Sequence, residues 1–121
     1  GKNMTVNIYD NANEMASVLK ETEQYTAWQN AFNAIQADEE AKQLFTKFQS
    51  VQVAVQQMMQ SQQQPSADQE KEWDAIAADV QKNELITALL STEQALNTLL
   101  TEINDIVTKP VADAYAKLRQ K

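Results

Sequence analysis

Apolar residues recur every three or four positions along most of this chain, which is the spacing of one face of an α-helix. The pattern is longest over residues 38–62 and over residues 84–108. At about 1.5 Å per residue, such a stretch predicts a helix of roughly 37 Å. A stripe that repeats close to every seven residues requires a helical partner along most of its length. The first stripe consists of Ala41, Leu44, Phe45, Phe48, Val51, Val55, Met58 and Met59.

Shorter amphipathic segments flank and separate the two long ones. The stripe that begins at Ile8 loses its phase near Thr22, so the sequence predicts two short helices with a bend at that point. Pro65 ends the first long helix, because proline neither donates a hydrogen bond nor fits inside a helix easily. A further helix carrying Trp73 and Ile76 follows after only a few residues, which predicts an antiparallel hairpin.

The last interruption is Pro110, which is predicted to occupy the first turn of a final helix after the second long one. The expected fold is therefore all-α, a small helical bundle of about six helices built on two long antiparallel helices, with bends near Thr22 and Pro110. Residues 1–3 precede Met4 and resemble a cloning remnant, which leaves residues 4–121 as a single helical domain. The predicted helix caps are Asn7 or Asp10, then Thr22, Asp38, Ser66 with Gln69, and Asn83.

Composition removes most catalytic chemistry from consideration. The chain has no cysteine and no histidine, and one glycine and two prolines. Disulfides, cysteine-ligated metals, thiol catalysis and the commonest general base are excluded, and no catalytic, cofactor-binding or metal-binding residue can be named. The acidic run Asp38-Glu39-Glu40 could suggest a metal site, but adjacent helical residues diverge, so helix capping is the better interpretation. A metal-dependent hydrolase is the most distant alternative.

The net charge and the hydropathy of the chain argue against nucleic acid and membranes as direct partners. The formal net charge of −7 argues against direct binding to nucleic acid, which requires clustered Lys and Arg. No apolar run approaches the roughly 20 residues that span a membrane, and no signal peptide is recognisable at the start. The chain is therefore expected to bind neither membrane nor nucleic acid directly.

The first long helix predicts self-association. Two stripes of about 25 residues are too long for the short flanking helices to cover, and a contiguous exposed apolar patch is rare on a soluble monomer. We expect a homodimer or a higher homo-oligomer in which these segments pair antiparallel. The candidate interface residues are Val51, Val55, Met58, Met59, Trp73 and Ile76.

Glu93 is the one charged residue that falls within the second long stripe. A carboxylate on an apolar stripe is costly unless it is paired or hydrogen-bonded. One interpretation is a local polar contact or a position at the edge of the stripe. The other is a buried polar contact that fixes helix register or a subunit interface.

An ordered set of helical motifs extends along the chain: Asp38-Glu39-Glu40-Ala41-Lys42, Leu44-Phe45, Phe48-Gln49, Asn83 with Leu85-Ile86, Glu93-Gln94 with Leu96, and Pro110 with Tyr115. Each motif is weakly specific, but their order and spacing between Val6 and Tyr115 resemble the YlbF/YmcA family, and its YheA-like branch most closely. Family members often have proline after the asparagine that corresponds to Asn83, whereas this chain has Glu84.

The resemblance implies a cytoplasmic, all-helical bacterial protein that self-associates. It also implies a regulatory or accessory role linked to ribonuclease Y, messenger-RNA processing, competence, biofilm formation and sporulation, with protein partners in an RNA-processing complex. Relatives in that complex are associated with iron–sulfur clusters held by cysteines, and this chain has none, so no cofactor is expected. The alternatives are a nucleic-acid-binding factor and a purely structural oligomeric protein.

Overall fold

The computed structural model describes residues 7–120, and every regular element in that range is an α-helix. The all-α prediction is therefore confirmed. The described range contains five helices rather than the expected six: α1 (Ile8–Leu19), α2 (Glu23–Gln36), α3 (Glu39–Gln60), α4 (Ala67–Lys82) and α5 (Glu84–Arg119). The predicted cloning remnant, residues 1–3, and the predicted start at Met4 lie outside the described residues.

The missing sixth helix is explained by Pro110, which lies inside α5, a helix of 36 residues. The prediction that Pro110 interrupts this helix and opens a new one is wrong. The fixed φ angle of proline is itself helical, so the penalty is one missing N–H and a clash with the Ile106 carbonyl, about 3 kcal/mol. Across this position, Lys109 Nζ and the Asp113 carboxylate form an ion pair at 3.0 Å.

Local side-chain bonds determine where the helices begin, and the predicted caps are confirmed. A cap side chain accepts a hydrogen bond from a backbone N–H that the helix itself leaves unpaired, which contributes about 1 kcal/mol. Ser66 and Gln69 form the predicted capping box at the start of α4, with both reciprocal bonds present. In the other caps the side chain accepts a hydrogen bond from the backbone N–H three residues later: Asn7 from Asp10 (3.2 Å), Thr22 from Tyr25 (3.1 Å), Asp38 from Ala41 (2.9 Å) and Asn83 from Ile86 (3.1 Å).

One compact unit, Trp28–Ser91, contains the buried core of the described chain. Ile86 and Leu89, at the start of α5, are completely removed from solvent together with Ala41 of α3. Partly buried aromatic and aliphatic residues of α2, α3 and α4 surround them, and the rings of Trp28 and Phe32 stack with centroids 5.3 Å apart. The core residues are Ile35, Ala41, Val80, Ile86 and Leu89.

Within this unit α3 and α4 form the antiparallel hairpin that the sequence predicts. One groove is lined by Leu44, early in α3, and Lys82, at the end of α4; another is lined by Met59 and Trp73, at the opposite ends of the two helices. Gln62, after the end of α3, has a φ of 58°, a left-handed conformation that reverses the chain before Pro65. The antiparallel pairing of α3 with α5 stays a prediction.

The second compact unit joins residues 1–27 to residues 92–121, and its described part comprises α1, the start of α2 and most of α5. No described residue of this unit is buried. Its helices therefore carry apolar side chains that a single chain leaves in contact with water. The predicted single domain over residues 4–121 stays a prediction.

Candidate interaction surfaces

The end of the α3–α4 hairpin forms an open apolar groove of about 530 Å³. Met58 and Met59 come from the last turn of α3, Trp73 comes from the second turn of α4, and Pro65 lies in the loop between them. Met59 is 74% exposed, so it contacts little within the chain. Methionine adapts to irregular partner surfaces, which suits such a position for contact with another protein.

The structure brings together four of the six residues predicted as an interface. Val55, Met58, Met59 and Trp73 line the groove. Ile76 packs against the buried core instead, and Val51 is half-buried outside the groove. The interface itself stays a prediction. We call the predicted set, Val51, Val55, Met58, Met59, Trp73 and Ile76, the hairpin-end surface.

A longer apolar surface runs along the distal half of α5. Ile106 is 72% exposed and Leu118 is 81% exposed, whereas Ile86 and Leu89 of the same helix are buried. A shallow groove of about 490 Å³ lies on this face, and every residue that lines it is apolar or aromatic. We call this set the α5 stripe: Ile103, Ile106, Val107, Pro110, Val111, Ala114, Tyr115 and Leu118.

The interface prediction from the sequence omitted the α5 stripe. The predicted helix end at Pro110 assigns Ile103, Ile106 and Val107 to one helix and Val111, Ala114, Tyr115 and Leu118 to another, so the sequence analysis does not treat them as one surface. The spacing of three and four residues nevertheless continues from Ile103 to Leu118 without a change of phase. That continuity is the signal in the sequence that could have found the stripe.

Glu93 is half-buried in α5, and no hydrogen bond or ion pair joins it to another residue within 7–120. The interpretation of Glu93 as a local polar contact or a residue at the edge of the stripe stays a prediction. A contact of Glu93 that fixes register across a subunit boundary stays a prediction.

A third groove, of about 450 Å³, lies between the start of α3 and the end of α4. Glu40 and Asp79 line it together with Lys47 and Lys82, so charges of both signs alternate on two solvated helix faces. Asp38, from the acidic run that could suggest a metal site, caps α3 instead. Between residues 7 and 120 no three acidic side chains cluster closely enough to hold a metal ion. Over the same range no helix is long and apolar enough to cross a membrane.

Sequence comparison finds related proteins over nearly the whole chain. The model of a family described as control of competence regulator ComK, YlbF/YmcA, matches residues 8–112. A UPF0342 protein of Leuconostoc mesenteroides is 74% identical over 117 residues, which is 97% of this chain and 100% of the relative. A UPF0342 protein of Staphylococcus aureus strain JH9 is 39% identical over 114 residues, 93% of this chain and 99% of the relative.

Solved structures share the same arrangement of helices. YheA from Bacillus subtilis is 30% identical, with a TM-score of 0.68 over 91% of this chain and 100% of that one. RicA from Bacillus subtilis, in a crystal structure of its complex with RicF, is similar in fold at 17% identity, with a TM-score of 0.67 over 93% and 99% of the two chains. A protein of unknown function from Bacillus stearothermophilus has a TM-score of 0.75 at 18% identity, and the match covers 89% of this chain and 95% of that one.

Proposed function

The chain belongs to the YlbF/YmcA family, and on that premise we propose that it is a non-enzymatic interaction protein. Its role in this proposal is that of a cytoplasmic adaptor or regulatory subunit in an RNA-processing complex of the kind that contains ribonuclease Y. The observation that carries the proposal is the exposure of large apolar side chains such as Met59 and Leu118 outside the buried core. Such surfaces on a soluble protein mark sites of contact with other proteins.

The absence of assembled chemistry supports an interaction role over an enzymatic one. Catalysis requires a nucleophile, a base and an orienting group within hydrogen-bonding reach of one another. The described side-chain bonds between residues 7 and 120 are instead caps, contacts along a helix and the Lys109–Asp113 ion pair. The comparison with RicA adds an analogy, because that structure contains RicA in complex with a second protein, RicF.

The direct test of the adaptor role is affinity capture of the tagged protein from its native cell. We expect the unmodified protein to retain a ribonuclease or another RNA-processing protein. The Val55→Glu/Met59→Glu variant should lose that protein, because we expect the partner to bind the paired form, and charge in the groove at the hairpin end disrupts the pairing of two copies. Val53→Glu is the matched control, since Val53 is 53% exposed on α3 and lies outside the groove. Retention of the same proteins by both variants would contradict a role for this groove.

We also propose that the hairpin-end surface pairs with the same surface of a second copy, which makes the protein a homodimer or part of a larger homo-oligomer. The groove is apolar and lies at one end of the hairpin, so two copies can cover it antiparallel around a two-fold axis. Sedimentation velocity at micromolar concentration should give more than a monomer. Val55→Glu/Met59→Glu should reduce the assembly while its far-UV circular dichroism remains helical, and a monomeric unmodified protein would refute the pairing.

Direct binding to nucleic acid is the alternative from another functional class. The net charge of −7 opposes it, because the affinity of proteins for the phosphate backbone depends on Lys and Arg that displace counterions. An RNA mobility-shift assay across salt concentrations separates the two functions. We expect no shift at physiological salt, whereas tight and salt-sensitive binding would replace the adaptor proposal with a nucleic-acid-binding one.

A further inference from the structure

Methionine is the only sulfur-containing residue type in this chain, because cysteine is absent. Three of the four methionines lie within residues 7–120: Met15 on α1, and Met58 and Met59 in the last turn of α3. Met59 is 74% exposed and Met15 is 41% exposed, whereas Met58 is half-buried. The susceptibility of a sulfur atom to oxidants increases with its exposure. Of the described residues, Met59 is therefore the one whose sulfur a soluble oxidant reaches most easily.

The surroundings of Met59 give its oxidation a consequence. Its side chain lines the groove at the hairpin end together with Val55 and Trp73, so the thioether is part of an apolar surface. Oxidation to the sulfoxide places a polar oxygen on that surface. Water hydrates this oxygen while the groove is open, but covering it without a hydrogen-bond donor costs free energy. Oxidation of Met59 therefore favours the open groove over the covered one.

We propose that Met59 is an oxidation site at which a peroxide converts the thioether to a sulfoxide and thereby weakens the pairing of two copies at the hairpin-end surface. The inference rests on the pairing proposed above and adds a chemical signal that controls it. The exposed thioether is the group that receives the signal, and the apolar groove is the surface on which the added oxygen acts.

The reaction is a two-electron oxygen transfer. The sulfur lone pair attacks one oxygen of hydrogen peroxide and the O–O bond breaks. The other oxygen leaves as hydroxide, which takes the proton from the transferred OH group and becomes water. Sulfur is oxidised by two electrons and the peroxide is reduced by two. Methionine sulfoxide reductases reverse the step. With a dithiol as reductant, the dithiol becomes a disulfide and the sulfoxide oxygen leaves as water.

Pairing and oxidation oppose each other at this position. In the paired form the second copy covers Met59, so peroxide reaches the sulfur mainly in separated chains, and the sulfoxide then disfavours their return to the pair. A two-fold contact contains the residue twice. We expect complete oxidation to weaken self-association on the order of a hundredfold, which is about tenfold for each sulfoxide that is covered without a donor.

Peptide mass spectrometry after brief exposure to hydrogen peroxide locates the site without reference to pairing. In protein diluted until the chains are separate, we expect Met59 to be oxidised first, followed by Met15 and then Met58. Fragment ions distinguish the adjacent Met58 and Met59. Oxidation of Met15 or Met58 at the same rate as Met59, or faster, would overturn the assignment of the site.

Sedimentation velocity before and after peroxide treatment tests the consequence for pairing. Met59→Leu removes the proposed site, and Met15→Leu is the matched control, because Met15 lies outside the hairpin-end surface. The dissociation constant of each protein is compared with that of its own untreated sample, so an effect of the substitution itself does not enter. We expect peroxide to weaken the unmodified protein and Met15→Leu strongly, and Met59→Leu at least tenfold less.

Recovery distinguishes control by oxidation from general damage. Methionine sulfoxide reductases and a dithiol should restore the assembly of the unmodified protein, and its far-UV circular dichroism should remain helical throughout. An equal response of Met59→Leu and Met15→Leu would overturn the inference. Unchanged assembly after complete oxidation of Met59 would do the same, and would indicate that a donor such as Gln62, which also lines the groove, binds the sulfoxide oxygen.

Failure of this inference differs from failure of the pairing on which it rests. An untreated protein that sediments as a monomer at tens of micromolar would refute the pairing, and control of the pairing by oxidation with it. An untreated protein that assembles, and whose assembly does not respond to oxidation of Met59, would overturn the inference alone and leave the proposed function in place.

Discussion

The two ends of α5 have the same apolar periodicity and very different surroundings. At the proximal end Ile86 and Leu89 are buried against residues of α2, α3 and α4, and Asn83 caps the first turn. At the distal end Ile106 and Leu118 face solvent, and Pro110 interrupts the ladder of hydrogen bonds. An apolar stripe on a helix indicates that the face is covered, but it does not indicate which molecule covers it. The proximal stripe is covered by its own chain, whereas the distal stripe is exposed in the single chain.

The largest effect should come from a cavity at the proximal end. Ile86→Ala removes a side chain with no exposure to solvent, which should lower the free energy of unfolding by about 2–5 kcal/mol in urea denaturation. Ile8→Ala is the matched control, because Ile8 is 62% exposed on α1 and lies outside the hairpin-end surface. Its effect should stay within about 0.5 kcal/mol. Equal losses in the two variants would show that the difference in burial has no energetic consequence.

The second largest effect is expected from replacing Pro110, and it should be confined to the distal end of α5. Pro110→Ala restores an N–H that can bond to the Ile106 carbonyl and removes a clash, which should stabilise the helix locally by up to about 3 kcal/mol. Amides after position 110 should exchange hydrogen more slowly in the diluted protein, while the urea midpoint of the core changes little. Thr108→Ala, which leaves the proline in place, is the control and should not slow that exchange.

A smaller effect should come from the cap between α4 and α5. Asn83→Ala removes the bond that the Ile86 amide donates to the Asn83 side chain at 3.1 Å, and should cost about 1 kcal/mol of stability. Asn83→Asp keeps an acceptor at this position and should retain most of the stability. A loss in Asn83→Asp as large as in Asn83→Ala would mean that the cap bond is not the cause.

The smallest effect is expected at Glu93. A half-buried carboxylate without a described partner contributes little to the single chain, so Glu93→Ala should change the unfolding free energy by no more than about 0.5 kcal/mol at low protein concentration. A loss of a few kcal/mol would instead support the prediction that Glu93 makes a buried contact that fixes helix register.

The sequence predicts best the features that depend on residues close together along the chain. Asp38, Ser66 and Asn83 act as caps because each bond spans three residues, and the sequence contains both partners. The all-α class follows in the same way from periodicity and from the scarcity of glycine and proline. These features require no knowledge of which helices pack together.

The errors arise where a local signal does not decide the outcome. Pro110 predicts a helix end, yet the helix continues to Arg119, and the fixed φ angle of proline is itself helical. Ile76 and Met59 belong to similar amphipathic patterns, but Ile76 packs against the core whereas Met59 is exposed. The periodicity of a helix shows which of its residues share the apolar face, but it does not show which neighbouring element packs against that face.

Hydrogen exchange along α5 at two protein concentrations tests most directly whether self-association protects the exposed distal end of this helix, while the proximal end is already protected within the chain. One concentration should lie well below, and the other well above, the dissociation constant of self-association. We predict that the amides of residues 103–118 gain protection at the higher concentration, while those of residues 84–91 exchange at the same rate at both. Distal amides whose exchange does not depend on concentration, or proximal amides that gain the same protection, would contradict the account.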